Sequence, residues 1–476
     1  MEKLDTIFLG LSTPRDYSEM LRGKCVEHLV EKYHVVALTQ KVDTAMAKKF
    51  GYLLHKNLEY IVLPLYNKKE LAFFDNYLRL PFAREFDHFT ATRRFIYRQY
   101  KNPEIAKARP LRPLPIRALI QAGRILPKQL PYVSLFTLLE RFYIQPSPTF
   151  KDLLRTYSPK LMITMTPGFM PFDAELVINA KTFGIPTLAT YINVDNTYNK
   201  GKFLRKTDYF FTWNTQMKKE VIDFFHYKPN HVFETGCLRF DHYFNDTKEN
   251  KIRSRKDFLL SKNLDPDKKT VTYFTSTPVG FPWWEPVMNA IMDLKKRGGL
   301  EGNPNIIIRI HPVEILKRYT PYGHTPGVHV ERGGSIQHLE DHKAPGKHLK
   351  VEMNEKDTAN LTETLMYSDV VINIFSTTVM EACIFDTPIV CIGFPKGIGE
   401  GSLEYEIPKA YMETGGIRVA FSPEELGVHI NAYLQHPEYD REGRKKIAEK
   451  FVQFTDGLSW KRTADAIDEI VNKHSK

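Results

Sequence analysis

Short apolar runs alternate along this chain with stretches whose apolar positions recur every three or four residues. Runs apolar on both faces predict buried parallel strands, and the longer periodic stretches predict the helices that cover them. In the first half the strands fall at 6–10 (TIFLG), 34–39 (HVVALT), 60–65 (YIVLPL), 160–165 (KLMITM), 186–192, 209–213 and 231–235, with helices over 17–32, 172–183 and 216–225. The second half repeats the logic with strands at 270–275 (TVTYFT), 305–310 (NIIIRI), 369–374 (DVVINI) and 388–393, and helices over 286–297, 357–367 and 377–385. A polar, lysine-rich stretch from Asn245 to Lys269 breaks the alternation and reads as a partly helical linker. The expected organisation is α/β: a Rossmann-like domain over 1–245 with an insertion at about 70–150, a second over 246–455, and a last helix over 456–476.

Composition narrows the class. The 476 residues are 42% apolar and include 31 Phe, 24 Tyr and 4 Trp, enough to bury cores and exclude global disorder. The longest stretch without Asp, Glu, Lys or Arg, Thr270 to Trp284, has 15 residues and two prolines. A helical membrane span needs about 20 apolar residues. The start of the chain has neither the basic opening nor the long apolar run of a signal peptide, so a cytoplasmic location is expected. Cys25, Cys237, Cys383 and Cys391 lack metal-site spacing and read as reduced, buried thiols.

Charge adds a localised feature. Between Arg93 and Lys128 stand ten basic residues and one acid, Glu104, which supplies most of the net +11. Apolar and aromatic neighbours make this insertion suited to an anionic membrane surface, peripherally on the inner face of the cell membrane; a solvated helix face is the plainer alternative. Nucleic acid is not expected as a partner, since no finger spacing, RNP-like signature or repeated basic helix is present.

Ligands of open parallel sheets gather beyond the carboxyl ends of the strands, so the residues there carry the candidate chemistry. The strand 369–374 runs into Ser376, Thr377 and Thr378 at a helix start, an anion site of amides and hydroxyls, with Glu381 one turn on and placed for a ribose diol. Arg309 and His311 share a strand face before Pro312 ends the strand, and could hold the phosphate of a leaving nucleotide. Thr275 and Ser276 begin a hydroxyl-rich turn that either touches a phosphate or caps a helix. Asp265-Pro-Asp267 reads as a linker turn, Gly397 to Gly401 as a flexible loop without a P-loop ending, and His324, His329, His338, His342 and His348 as a surface loop without zinc spacing.

The pairing of RxHP (Arg309 to Pro312) with SDVVINxxSTTxxEA (Ser368 to Ala382), and the DGxSxxR at Asp456 to Arg462, resemble the donor-nucleotide half of GT-B glycosyltransferases of bacterial surface-polysaccharide synthesis. They are similar as well to the related CDP-glycerol glycerophosphotransferases and UDP-N-acetylglucosamine 2-epimerases. IPTLATYINVDNTYNKG (Ile185 to Gly201), FTWN (Phe211 to Asn214) and ETGCLRFD (Glu234 to Asp241) resemble the acceptor half. Two departures stand out. Ile389 occupies the eighth position after Glu381, where many retaining transferases carry a second Glu, and Phe375-Ser376-Thr377 replaces the Tyr-Ser-Ser of polyglycerophosphate polymerases, which weighs against glycerophosphate transfer.

The resemblance implies two Rossmann-like domains facing across a cleft and transfer of a sugar from a nucleotide-sugar donor to a carbohydrate or lipid-linked acceptor hydroxyl. No metal or other cofactor is expected. Arg309, His311 and the Ser376 amides would neutralise the leaving phosphate, and Asp195, Asp173 or Glu175 would deprotonate the acceptor. Epimerisation, glycerophosphate transfer and a non-catalytic sugar- or membrane-binding role are the alternatives.

Overall fold

The computed structural model describes residues 4–74, 89–91, 118, 121–122, 125, 132–190, 193–199, 205–277, 281, 283–312, 314–336, 351–395 and 403–474. All ten basic residues of the insertion, His338, His342, His348 and the Gly397 to Gly401 loop lie outside them. The chain divides into two compact units, residues 1–238 with 458–476, and residues 239–457.

Unit 1 is built on seven parallel strands: β1 (Thr6–Leu11), β2 (His34–Thr39), β3 (Leu58–Val62), β4 (Leu161–Thr164), β5 (Thr187–Ala189), β6 (Tyr209–Thr212) and β7 (Val232–Glu234). Their order is β3-β2-β1-β4-β5-β6-β7. Connections run outward in opposite directions from β1 and β4, so a crevice opens beyond the carboxyl ends of those two strands. The helix Pro171–Thr182 packs on β1 and is buried around most of its circumference, from Phe172 to Ala180. Gly10 permits this approach, because a Cβ there would meet Leu176 at 2.4 Å. The helix expected over 17–32 is two helices, Pro14–Leu21 and Lys24–Lys32, separated at Gly23. The first is opened by a capping box between Thr13 and Asp16 with Pro14 in its first turn. β3 stops at Val62, two residues before Pro64, short of the expected 65.

The last helix, Ser459–His474, belongs to this unit. Its Ala464, Ile467, Ile470 and Val471 share one core with Val26, Leu29 and Val30 of the helix Lys24–Lys32. Tyr33 donates its hydroxyl to Asp468 at 2.9 Å on the same seam. Fully burying one such Ile or Leu stabilises by about 1.5–3 kcal/mol.

Unit 2 has six parallel strands: β8 (Thr270–Phe274), β9 (Asn305–Ile310), β10 (Val328–Arg332), then, past a small antiparallel pair β11 (Ser335–Ile336) and β12 (Val351–Glu352), β13 (Val370–Asn373), β14 (Ile389–Ile392) and β15 (Arg418–Ala420). The order β10-β9-β8-β13-β14-β15 places the point where the winding reverses between β8 and β13. Sequence reading misses β10 and β15. β10 is half-exposed and carries His329, Glu331 and Arg332, so it lacks the apolar run of a central strand, and His329 sits on it and not in a loop. β15 has only three residues, Arg418 to Ala420. The Asp265 to Asp267 turn forms as expected, with the Asp267 N–H donated to the Asp265 carboxylate at 3.0 Å. All four cysteines are buried and unbridged. Among the described residues no helix is long and apolar enough to cross a membrane.

Candidate functional site

In unit 2 the residues beyond β8, β9 and β13 meet at one sheet edge. Thr275 ties two strand ends together: its Oγ1 accepts the His311 N–H at 2.8 Å and its own N–H goes to the Arg309 carbonyl at 3.1 Å. Glu314 returns an N–H to the His311 carbonyl at 2.8 Å, closing the turn that carries the imidazole. The half-buried His311 is thus held by its backbone on both sides.

The β13 end is organised by a residue the sequence reading did not single out. Asn373, 1% exposed, accepts both the N–H and the hydroxyl of Ser376, at 2.8 and 3.1 Å. Phe375 between them takes φ 49°, in the left-handed region, and reverses the chain so that Ser376 faces out. A non-glycine residue there costs about 1–2 kcal/mol. An Asn closing an apolar strand just before a hydroxyl-rich helix start was the available signal. The Thr378 N–H in turn goes to Ser376 Oγ at 3.2 Å. The amides of Ser376 and Thr378, expected to meet an anion, are therefore engaged within the turn, and the hydroxyls of Thr377 and Thr378 are the groups it presents half-exposed. Glu381 lies in the first turn of the helix Thr378–Ile384, 7% exposed.

Arg309 is not where the sequence reading puts it. Its guanidinium faces Glu331 in the ion pair across β9 and β10, and it is 5% exposed. Lys262 pairs with the same Glu331 and reaches Asn360 at 3.0 Å. Burial would raise the Glu331 carboxyl, but Arg309, His329 and Lys262 outweigh it and hold the group well below the usual carboxylate range. Gly333 leaves room for the guanidinium, since a Cβ there would stand 3.0 Å from Nη2. The cation neutralises a buried acid, and a leaving phosphate would have to compete with Glu331 for it.

In unit 1 the three candidate acids occupy three different settings. Asp173, 0% exposed, lies in the crevice beyond β1 and β4 and accepts the Thr166 hydroxyl at 2.6 Å and the Ser12 hydroxyl. Asp16, 1% exposed, accepts the N–H groups of Ser12 and Thr13 at 2.8 and 2.7 Å. Burial, together with the charge of Asp16, pushes Asp173 up to about 8, and burial pushes Asp16 up to about 6. Glu175 accepts the backbone N–H groups of Tyr66 and Asn67 at 3.0 and 3.3 Å and the Asn67 side-chain amide at 2.8 Å, so it anchors the segment after β3. Asp195 stands beyond β5, half-exposed, with its carboxylate accepting the Asn199 side-chain amide at 2.5 Å.

Among the described residues, His28, Asp465 and Asp468 are the one group whose ligand atoms come within 4.8 Å of one another. Lys32 already pairs with Asp468 and Lys461 with Asp465, so a cation there would compete with two ammonium groups.

A model of the CDP-glycerol:poly(glycerophosphate) glycerophosphotransferase family matches residues 178–469, more than half of the chain. The chain belongs to that family. The match takes in Asp195, Thr275, His311 and the Ser376 turn, and leaves out Asp16 and Asp173. Solved structures with the same fold include the UDP-GlcNAc 2-epimerase of Neisseria meningitidis bound to UDP-GlcNAc, 10% identical with a TM-score of 0.51, covering 98% of this chain and 100% of that one. The S. aureus MnaA–UDP structure is 11% identical with a TM-score of 0.51 over 98% and 97% of the two chains. A variant of the wall teichoic acid polymerase TagF soaked with CDPG is 11% identical with a TM-score of 0.50 over 99% and 90%. These likenesses carry the GT-B type of fold to this family member and nothing finer. No curated protein matches the chain significantly.

Proposed function

We propose that this family member transfers a group from a nucleoside diphosphate-linked donor, bound by unit 2, to a hydroxyl of a surface-polymer or glycolipid acceptor. The observation that carries the reading is that Thr275 and the Ser376 to Thr378 turn follow β8 and β13, the neighbouring strands between which the winding reverses, with His311 tied to Thr275 and the turn held by the buried Asn373. Such prepositioned donors suit a phosphate that gains charge as it leaves, because they need no reorganisation at that moment. His311 and the hydroxyls of Thr377 and Thr378 take that role, and Glu381 the ribose. No metal ion is invoked.

Asp195 takes the proton of the acceptor hydroxyl, since it is half-exposed and its carboxylate is steadied by Asn199. Asp173 is poorly suited to that step, being buried and holding a proton at neutral pH. The family description makes CDP-glycerol the first donor to try. The acceptor oxygen attacks the glycerol-bearing phosphorus, the bond to the CMP oxygen breaks, and the hydroxyl proton passes to Asp195. A nucleotide sugar is the second reading, favoured by Phe375, which offers no hydroxyl beside Ser376. There the oxygen attacks the anomeric carbon and the nucleoside diphosphate leaves.

The test is thermal unfolding of the full chain with CMP, CDP and UDP, followed by release of CMP from CDP-glycerol or UDP from a UDP-sugar with and without a polyol-phosphate or glycan acceptor. Stabilisation reaches about 2.7 kcal/mol at a hundredfold the dissociation constant. Release that depends on the acceptor supports the proposal. Turnover of a nucleotide sugar with no acceptor would replace it with epimerisation.

A further inference from the structure

The last helix packs along the helix Lys24–Lys32, and the rim of that seam carries ionisable side chains. Asp465 and Asp468, three residues apart, share one face of the last helix, and His28 meets them one turn before Lys32. A ligand atom from each of the three lies within 4.8 Å of the other two. Although two carboxylates stand so near, the His28 Nε2 is buried and makes no hydrogen bond. A buried ring nitrogen in that state costs free energy until something takes it up. The surroundings fix the cluster further. The Trp460 ring lies 6.0 Å from the His28 ring, and the Tyr33 hydroxyl holds Asp468 at 2.9 Å. Hydrogen bonds from outside a donor set orient its members in this way.

One imidazole and two carboxylates form a donor set for zinc and its neighbours in the first transition series, whereas Mg²⁺ and Ca²⁺ favour oxygen alone. Bonds of about 2.1 Å hold donor atoms about 3.4 Å apart in a tetrahedron, so the three atoms need close only slightly. Lys32 and Lys461 oppose an ion, yet their side chains are 46% and 57% exposed, and an exposed ion pair is worth about 0–1 kcal/mol. Both can turn to solvent. We propose that His28, Asp465 and Asp468 bind a divalent transition-metal ion, zinc by preference, which staples the last helix of the chain to the helix Lys24–Lys32. An ion that binds only where the two helices are packed stabilises the packing by mass action. The three residues take no part in the transfer proposed above, so the inference stands whatever group is transferred.

The test strips the full chain of metal with a chelator and returns Zn²⁺ or Mg²⁺, counting bound ion by equilibrium dialysis and reading the melting temperature in parallel. His28→Gln and Asp465→Asn are compared with the wild type. Asp465 is 54% exposed, so the second variant is expected to melt with the wild type when both are metal-free. The wild type should bind one equivalent of Zn²⁺ that both variants hold at least about tenfold more weakly. Its melting temperature should rise by several degrees with saturating Zn²⁺ and stay unchanged with Mg²⁺. Three results would overturn the inference: equal Zn²⁺ binding by the wild type and Asp465→Asn, a zinc-induced rise in melting temperature that survives in both variants, and Mg²⁺ acting as well as Zn²⁺.

Discussion

Asp16 and Asp173 are joined through a single residue, Ser12, which gives its backbone N–H to the first carboxylate and its hydroxyl to the second. Two acids so placed in a dry crevice cannot both ionise cheaply, and a proton is retained between them at neutral pH. Both folded values, about 6 and about 8, lie above the unfolded carboxylate range. The folded protein therefore binds more protons than the unfolded chain between about pH 4 and pH 8, and stability from this pair is present in acid and lost as pH rises through that window. An Asp173→Asn variant removes the higher of the two titrations. Its melting temperature should fall below that of the wild type at pH 5 and close the gap by several degrees at pH 8. A constant difference across the range would show that the pair does not hold the proton.

Arg309 and His311 should separate cleanly on substitution. Removing Arg309 leaves Glu331 buried with one fewer cation, a change that costs about 3–5 kcal/mol for a broken buried pair. Arg309→Ala is expected to unfold at much lower denaturant, while His311→Ala keeps its denaturation midpoint and loses nucleotide affinity. Calorimetric titration with the best nucleotide, beside urea unfolding, reads both.

Asn373→Ala should weaken nucleotide binding although the side chain itself is buried. The exposed Ser376 would lose the common acceptor of its N–H and hydroxyl, and each hydrogen bond lost from the turn costs about 0.5–1.5 kcal/mol net. Roughly tenfold weaker nucleotide binding is the expected size. Thr275→Val, which withdraws the acceptor from the His311 N–H, should act in the same direction.

Asp195→Asn should lower kcat by about a hundredfold or more with nucleotide affinity unchanged, because a general base acts in the chemical step and not in donor binding. The comparison with Asp173→Asn is informative. If the buried acid proved the more damaging of the two in kcat, with its stability corrected for, the proton would leave through Ser12 and the assignment would move to the crevice.

The two sheets were legible because their central strands are apolar on both faces, and a short run of that kind, set between helices, is what a parallel sheet covered on both sides requires. Edge elements were not: β10 mixes His329, Glu331 and Arg332 into a strand, and β15 is too short to show a period. In the site, residue type and position beyond a strand were enough to bring His311, Thr275 and the Ser376 turn together. What failed was orientation. Arg309 looks identical in sequence whether it faces a ligand or a buried Glu331 that lies 22 residues away. Likewise Asn373 and Asp16 act through hydrogen bonds to a backbone whose path, with φ 49° at Phe375, no local pattern announces.

The helix Ser459–His474 has a consequence for how this protein is made. Its Ile467 and Ile470 complete a core begun by β1 and the helix Lys24–Lys32, yet they are synthesised only after the whole of unit 2. Residues 239–457 form one uninterrupted stretch, so the unit that comes second in the chain can fold without the last helix. The unit that begins the chain waits with an open seam along Val26, Leu29 and Val30 until the last turns emerge. A chain truncated after residue 457 should therefore carry a protease-resistant second unit and a first unit that is still cleavable.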